Sequence, residues 1–146
     1  MITEPQDAAD FVYNLLKTQA GPLGIGFVGY ADKLNPNYPA VVVTPGRKAK
    51  SLHATHTFNV AIEIDIMVYH ARLSTDHKTR TREDLALVTS IENTLEQGDM
   101  NFGGQVIFAF VRETYPGTIT RPKGEQVVGT RMLVDVLSQK RFPYVP

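Results

Sequence analysis

Two carboxylates, Glu63 and Asp65, have the spacing in this sequence that could support acid–base chemistry. They are two positions apart in a segment that alternates apolar and polar residues, so both side chains should lie on one face of a strand, about 7 Å apart. Carboxylates at such a distance can act as a general acid and base. No nucleophile, phosphate loop or metal ligand accompanies them. We therefore expect a charged surface patch that meets Lys or Arg of another subunit, and no catalytic residue.

The histidines do not have the spacing of a metal site. His53 and His56 are three positions apart in a predicted loop or strand entry, with no acidic neighbour. His56 and His70 would share a strand face but lie roughly 45 Å apart along it, too far to bind one ion. The sequence has no cysteine, which excludes disulfides, zinc–thiolate sites and cysteine nucleophiles. We expect no metal ligand, and we interpret His53 and His56 as exposed side chains that flank a strand.

Two glycine patterns resemble cofactor-binding motifs only in their spacing. Gly24, Gly26 and Gly29 match the G-x-G-x-x-G of a dinucleotide-binding turn. They lie inside a predicted strand, however, instead of between a strand and the start of a helix. Gly103-Gly104 is better interpreted as a tight turn. The sequence also lacks the G-x-S-x-G motif of serine hydrolases, so it gives no support for serine catalysis.

Two basic segments are the remaining candidates for function. One lies in a predicted loop at residues 47–50, and the other precedes the second predicted helix at residues 72–82. Such runs are usually solvated, but in an assembly they could contact acidic patches of a neighbouring subunit, and contact with DNA phosphates is a third interpretation. The candidate residues of a subunit interface are Arg47, Lys48, Lys50, Glu63, Asp65, Arg72, Lys78, Arg80, Glu92 and Glu96.

The composition is that of a soluble single domain. The chain has 146 residues, 42% of them hydrophobic and 21% charged, with 15 basic and 15 acidic side chains. This balance lacks the basic excess that is typical of proteins whose main task is DNA binding. The sequence shows neither a signal peptide nor an apolar run long enough to span a membrane, so we expect a product of the cytoplasm.

The strongest structural signal is an alternation of apolar and polar residues from His56 to His70. A period of two over this length predicts one strand of roughly 45 Å, whereas ordinary strands have about five or six residues. We expect part of it to project beyond the core, where a partner must cover its edges and end. The core-facing positions are Phe58, Val60, Ile62, Ile64, Ile66 and Val68.

The other elements complete a small α+β domain. Helical spacing predicts a helix over residues 4–20, capped by Thr3 and ended by Gly21-Pro22, and a second over residues 82–97, capped by Thr81. Further strands are predicted over residues 24–30, 40–44, 105–113 and 126–139, with Pro45-Gly46 breaking the second of them. The order α-β-β-β-α-β-β predicts a mostly antiparallel sheet with both helices on one face. Residues 1–146 form one domain, with an extended tail over residues 139–146.

The predicted inner positions of the two helices follow from the same spacing. Those of the first helix are Ala8, Phe11, Val12, Leu15 and Leu16, and those of the second helix are Leu85, Val88, Ile91 and Leu95. The strands after the second helix are joined by a large predicted tip from Tyr115 to Gly124.

This arrangement resembles the tail terminator, or tail completion, proteins of long-tailed bacteriophages. The likeness lies in the Tyr38-Pro39-Ala40-Val41-Val42-Val43 strand, the alternating strand Phe58–Ile64 and the Ile91-Glu92-Asn93-Thr94-Leu95 helix end. It implies a structural subunit of the virion neck, assembled in the host cytoplasm, that forms a hexameric ring on the last ring of the tail tube. Such a ring stops tube growth and joins the tail to the head.

The same resemblance implies the partners: further copies of the chain, the tail tube protein, and the head–tail connector or head completion protein. Genomic DNA would pass through the lumen without sequence-specific binding, and no enzymatic activity, cofactor or membrane would be involved. Two alternatives stay open. The chain could be another neck or tail component, such as a head completion or tube protein, or a small ligand-binding or enzymatic α+β domain.

Overall fold

A computed structural model of the chain describes residues 1–30, 37–72, 78–97, 100–120, 124 and 126–141, and of residues 72, 78–81 and 119 only the backbone. The fold is α+β, as the sequence predicts. Its helices and strands follow in the order α1 Pro5–Thr18, α2 Ala20–Leu23, β1 Phe27–Gly29, β2 Ala40–Ala54, β3 Thr57–Arg72, α3 Lys78–Glu96, β4 Phe108–Thr120 and β5 Gln126–Arg141.

The described strands form one sheet in the order β1-β2-β3-β5-β4, in which only the pair β1–β2 is parallel. The long strand β3 lies in the middle. It pairs with β5 from Thr57, opposite Arg141, to Arg72, opposite Val127, and with β2 on its other side. The expectation that a partner covers the edges of β3 is therefore wrong, because β2 and β5 of the same chain cover both.

Alternate side chains of β3 divide the molecule into two faces. Val60, Ile62, Ile64, Ile66 and Val68 are buried under α1 and α3, in one cluster with Val12 and Leu16 of α1 and Val88, Ile91 and Leu95 of α3. Both long helices lie on this side, which confirms the predicted arrangement. We call it the covered face, and we call the opposite side of the sheet the open face.

The first helix begins and ends differently from the prediction. Glu4, not Thr3, occupies the N-cap position, with no side-chain capping bond, and Pro5 takes the first helical position. Gly21-Pro22 does not end the helical segment but lies within α2. The stop is Gly24, whose φ of 73° is readily adopted by glycine, and consequently β1 begins only at Phe27.

The start of α3 corrects the predicted inner stripe. Leu85 is 54% exposed, while Asp84 points inward and Leu87 packs against the core. At about 100° per residue, Leu85 lies roughly 120° from Ile91 around the helix, whereas Asp84 lies only about 20° from it. The prediction that Leu85 faces the core, which rested on its apolar residue type, is therefore wrong. The helix also begins at Lys78, so that Thr81 lies inside it instead of capping it.

Pro45-Gly46 does not end β2, which continues to Ala54. Gly46 and Arg47 together lie opposite the single residue Glu63, which is a β-bulge. A Cβ atom on Gly46 would lie 2.6 Å from the carbonyl oxygen of Glu63, so the two backbones approach too closely for any side chain. The predicted basic loop is thus the second half of a strand.

The last two strands are also longer than predicted. Tyr115, Pro116 and Gly117 lie within β4, where Pro116 pairs with Thr130. Proline is tolerated there because β4 is an edge strand and one side of its backbone needs no ladder bonds. β5 continues to Arg141, so residues 139–141 of the predicted tail belong to a strand, and residues 142–146 lie outside the described part.

Candidate interaction site on the open sheet face

The open face carries a groove of about 320 Å³ across strands β2, β3, β5 and β4. Its floor is a row of apolar residues that lie directly opposite one another on neighbouring strands. Phe108, at the β4 end of the row, is 37% exposed, and Phe110 lies against it with ring centroids 5.7 Å apart. The row consists of Ala49, Ala61, Leu137 and Phe108.

Beside this row, one arginine is surrounded by carboxylates. Arg112 Nη2 lies 2.7 Å from Glu63 Oε2, and its Nε lies 3.1 Å from Asp135 Oδ2. A third carboxylate, that of Glu113, lies 4.0 Å from Nη1. All four side chains are roughly one-third exposed or more, so water screens these pairs and each contributes little to stability. Three carboxylates therefore share one guanidinium at this end of the groove.

A second arginine pairs with Asp65 further along the same face. Arg131 donates from Nε and Nη2 to Asp65 Oδ2, at 2.9 and 2.7 Å. This hydrogen bond, together with the charge of Asp65, raises the pKa of Arg131. Nearby, the hydroxyl of Tyr115 donates to the carboxylate of Glu113, which raises the pKa of Tyr115.

Bulges aim two arginines into the groove. Arg47 follows Gly46 in the bulge of β2, and Arg112 is the additional residue of a second bulge, in which Val111 pairs with Val134 and Glu113 with Leu133. Bulges of this kind redirect a side chain that regular alternation would place elsewhere. Both residues line the groove, and Arg47 brings a positive charge to the side opposite Arg112.

Four of the predicted interface residues, all on β2 and β3, make contacts within the chain. Glu63 and Asp65 are paired with Arg112 and Arg131 of the same chain. The role of these residues at an interface stays a prediction. Lys48 is on the covered face, where its Nζ lies 2.7 Å from Glu4 Oε1, and its hydrogen bond lowers the pKa of Glu4. Lys50 Nζ lies 5.5 Å from the ring centroid of Phe58.

Two further predicted interface residues lie on α3, away from the groove. Glu96 accepts a hydrogen bond of 2.8 Å from the backbone N–H of Val111, which ties the end of α3 to β4. Glu92 is half-buried on α3. Arg72, Lys78 and Arg80 have backbone in β3 and α3, but their side chains lie outside the described part of the structure.

Sequence reasoning missed a buried polar contact at His70. Its side chain is 1% exposed, Nε2 lies 2.8 Å from Thr130 Oγ1, and Nδ1 lies 3.4 Å from Asp84 Oδ1. The order Thr–His–Asp resembles a nucleophile, base and orienting carboxylate, but Thr130 is buried too, so no substrate reaches its hydroxyl. The contact joins β3, β5 and α3. The signal available in the sequence was that His70 occupies one of the alternate positions that apolar residues occupy in the rest of this strand.

Other kinds of site are not seen in the described residues. His53 and His56 are exposed, as expected, and His77 lies outside the described part. Within the described ranges, no three side chains of the metal-binding types come together. In those same ranges, none of the helices combines the length and apolar character that crossing a bilayer requires.

Comparison with known proteins gives no family. No family model matches the sequence, and no curated protein matches it. One solved structure that resembles the chain has a TM-score of 0.42 and 12% sequence identity over 96% of both chains, and its title is a bare sequence identifier that states no activity.

Proposed function

We propose that this protein is a structural subunit of a bacteriophage tail, a terminator that forms a hexameric ring on the head-proximal end of the tail tube. The observation that carries the proposal is the second half of β2. From Thr44 to Ala54 this strand pairs with β3 on one side, while β1 reaches only Ala40 to Val42 on the other. Most of these residues are exposed, and Leu52 is 70% exposed.

In the part of the chain that the structure describes, no strand pairs with this edge of β2 beyond Val42. An open strand edge with an exposed leucine is unfavourable in an isolated protein, because unpaired N–H and C=O groups attract other strands. A neighbouring copy would cover it. Among the described residues, a second edge without a strand partner is that of β4 beyond Val111, since the N–H groups of Ala109 and Val111 bond to Met100 and Glu96. This edge lies at the other side of the sheet and runs antiparallel to β2, as the ladder β2-β3-β5-β4 requires. A head-to-tail contact between these two edges is therefore compatible with antiparallel pairing.

Head-to-tail contacts generate closed rings when the rotation between subunits closes, and open filaments when it does not. The equal numbers of basic and acidic residues support a protein that packs against its own copies, because little net repulsion opposes closure. The identity of the assembly is supported by the resemblance to tail terminator proteins. Under this proposal the ring binds the tail tube protein on one side and the connector or head completion protein on the other, with DNA passing through its lumen.

The proposal is tested by adding the purified chain to tail tubes growing from purified tube protein. We expect tubes to stop at a shorter length, with a ring of the added protein at one end in electron micrographs. Tubes that grow on regardless, or a purified chain that polymerises into tubes itself, would contradict the terminator assignment. In the second case the chain would be a tube subunit.

Two exposed leucines provide a matched pair of variants. Leu52→Lys places a charge on the open edge of β2, whereas Leu85→Lys makes the same change on the outer side of α3. Both variants should fold, as judged by circular dichroism. We expect only Leu52→Lys to abolish ring formation and tube capping. If both variants cap tubes equally well, the edge of β2 is not part of the interface.

A further inference from the structure

We propose that the groove on the open face binds the C-terminal segment, residues 141–146, of a second copy of this chain. The inference rests on the proposed function in requiring a neighbouring copy, and it goes further by naming the segment that the groove receives. Three observations carry it: the chemistry of the groove, the chemistry of the segment, and the distance between the two in one chain.

The groove offers two kinds of contact side by side. The row of Ala49, Ala61, Leu137 and Phe108 gives an apolar floor whose small residues lie on β2 and β3 and whose large residues lie on β5 and β4. Next to it, Glu63, Asp135 and Glu113 surround Arg112, so three carboxylates share one guanidinium there, while Arg47 lines the opposite side. A ligand that suits both parts has aromatic or apolar groups next to a cation.

The end of the chain has this composition. Residues 141–146 read Arg-Phe-Pro-Tyr-Val-Pro, with one cation, two aromatic rings and two prolines. Proline fixes φ near −65°, so a segment with two prolines loses less conformational entropy on binding in an extended form. Aromatic-lined grooves commonly bind proline-containing segments in this way. Arg141, which is exposed at the end of β5, can contact the carboxylates that surround Arg112 in the groove of another copy.

Within one chain, Arg141 cannot reach the carboxylates of the groove. Arg141 pairs with Thr57, whereas Asp135 pairs with Glu63, six residues back along β5. That separation is about 20 Å at the rise of a strand, which is far longer than an arginine side chain. An Arg141 that contacts these carboxylates, with the aromatic residues after it on the apolar floor, must therefore come from another copy.

Each copy would then donate one segment and accept one, through surfaces that differ from each other. Such a contact is heterologous and is repeated by every subunit of a ring. It would add a second link between neighbours, separate from the open edges of β2 and β4.

Cross-linking between two single-cysteine chains tests the inference directly, because the natural sequence has no cysteine. One chain carries Val145→Cys and an affinity tag. The other carries Ala61→Cys in the floor of the groove, where the side chain is exposed. The two are mixed under conditions in which rings form and are treated with a short bis-maleimide. The matched control replaces the groove variant with Asn93→Cys, an exposed position on α3.

We expect tagged heterodimers with Ala61→Cys to form at least about tenfold faster than with Asn93→Cys, because docking replaces random collision by a reaction between neighbouring groups. Excess synthetic peptide of residues 141–146 should suppress this product. Equal rates for the two partners would overturn the inference. If rings still form and cap tubes while the two cross-linking rates are equal, the proposed function stands and only the docking of residues 141–146 is wrong. If neither rings nor the cross-linked heterodimer appears, the proposed function and the docking are both wrong.

Discussion

The two faces of this sheet are built from the same strands but differ in what holds them together. On the covered face, Ile62, Ile64 and Ile66 of β3 are buried under α1 and α3. On the open face, the residues between them carry charges, and Glu63 and Asp65 form ion pairs with arginines of β4 and β5. Burial of apolar area stabilises the first face, whereas exposed ion pairs contribute little to the second.

The difference shows how one strand can serve stability and association separately. A substitution on the covered face changes packing, because interiors are dense and tolerate neither cavities nor charges. A substitution on the open face changes mainly the surface that a partner meets. Four variants, in order of decreasing effect on stability, test this division.

The largest effect is expected for Ile64→Asp on the covered face. Ile64 is fully buried, and an unpaired carboxylate there costs several kcal/mol or protonates, against a total stability of about 5–15 kcal/mol for a typical domain. We expect the variant to be unfolded in far-ultraviolet circular dichroism at 25 °C. Ala49→Asp introduces the same group on the open face and should remain folded. A folded Ile64→Asp would mean that the covered face is not the core.

The next effect is expected for Gly46→Ala, at the bulge between the two halves of β2. The new methyl group would meet the backbone carbonyl of Glu63 at 2.6 Å, so the strands must move. We expect a loss of about 1–3 kcal/mol in a urea titration, in the range of other overpacked sites. Gly117→Ala on β4 is the control, because nothing lies within 4 Å of its added methyl group. Equal midpoints for the two variants would contradict the close approach.

A smaller effect on stability but a large effect on assembly is expected for the double substitution Glu63→Lys and Asp65→Lys. The lost ion pairs are partly exposed, so the free energy of unfolding should fall by at most about 2 kcal/mol. The charge reversal should nevertheless prevent ring formation, as measured by sedimentation. Glu83→Lys on α3 should leave both properties unchanged. Rings that survive the double substitution would show that this patch is not at the interface.

The smallest effect is expected for Lys48→Met at the rim of the covered face. The pKa of Glu4 is lowered by its hydrogen bond with Lys48, from an ordinary value of 4.5. The pair therefore adds stability above that value, and the contribution disappears as the pH falls through the lowered pKa of the folded state. Urea titrations at several pH values should show that the difference between wild type and Lys48→Met vanishes in acid. In a Glu4→Gln background the difference should not depend on pH.

The sequence predicted those parts of the fold that impose a regular spacing on apolar residues. The alternation from Phe58 to Val68 identified the buried and open faces of β3, because a half-buried strand imposes a period of two on its residues. The spacing of Val88, Ile91 and Leu95 identified the inner side of α3 in the same way. The prediction that Leu85 faces the core was wrong because it rested on the apolar residue type, whereas the helical angle places Asp84 on the inner side. The inward position of Asp84 also depends on its contact with His70 of β3, which the helix sequence alone does not indicate.

The residues of the candidate site were less predictable, because they depend on contacts between distant strands. Glu63 was identified as a surface carboxylate, but its partner Arg112 is brought near only by the order β3-β5-β4. Arg47, His70 and Arg112 all lie at register shifts between strands. A bulge has no periodic signature in one strand, since it depends on the backbone of the strand beside it.

The extra residue in β2 lets the strand lose one residue at this point without changing its faces. Beyond the bulge, Lys48 lies opposite Ile62 and faces α1, while Ala49 lies opposite Ala61 in the groove. Deleting either Gly46 or Arg47 would leave a single residue opposite Glu63, so Lys48 would stay opposite Ile62 and every later side chain of β2 would keep its face. A single-codon deletion here should therefore be less damaging than one in the middle of β3, where the loss of one residue moves the following side chains to the other face.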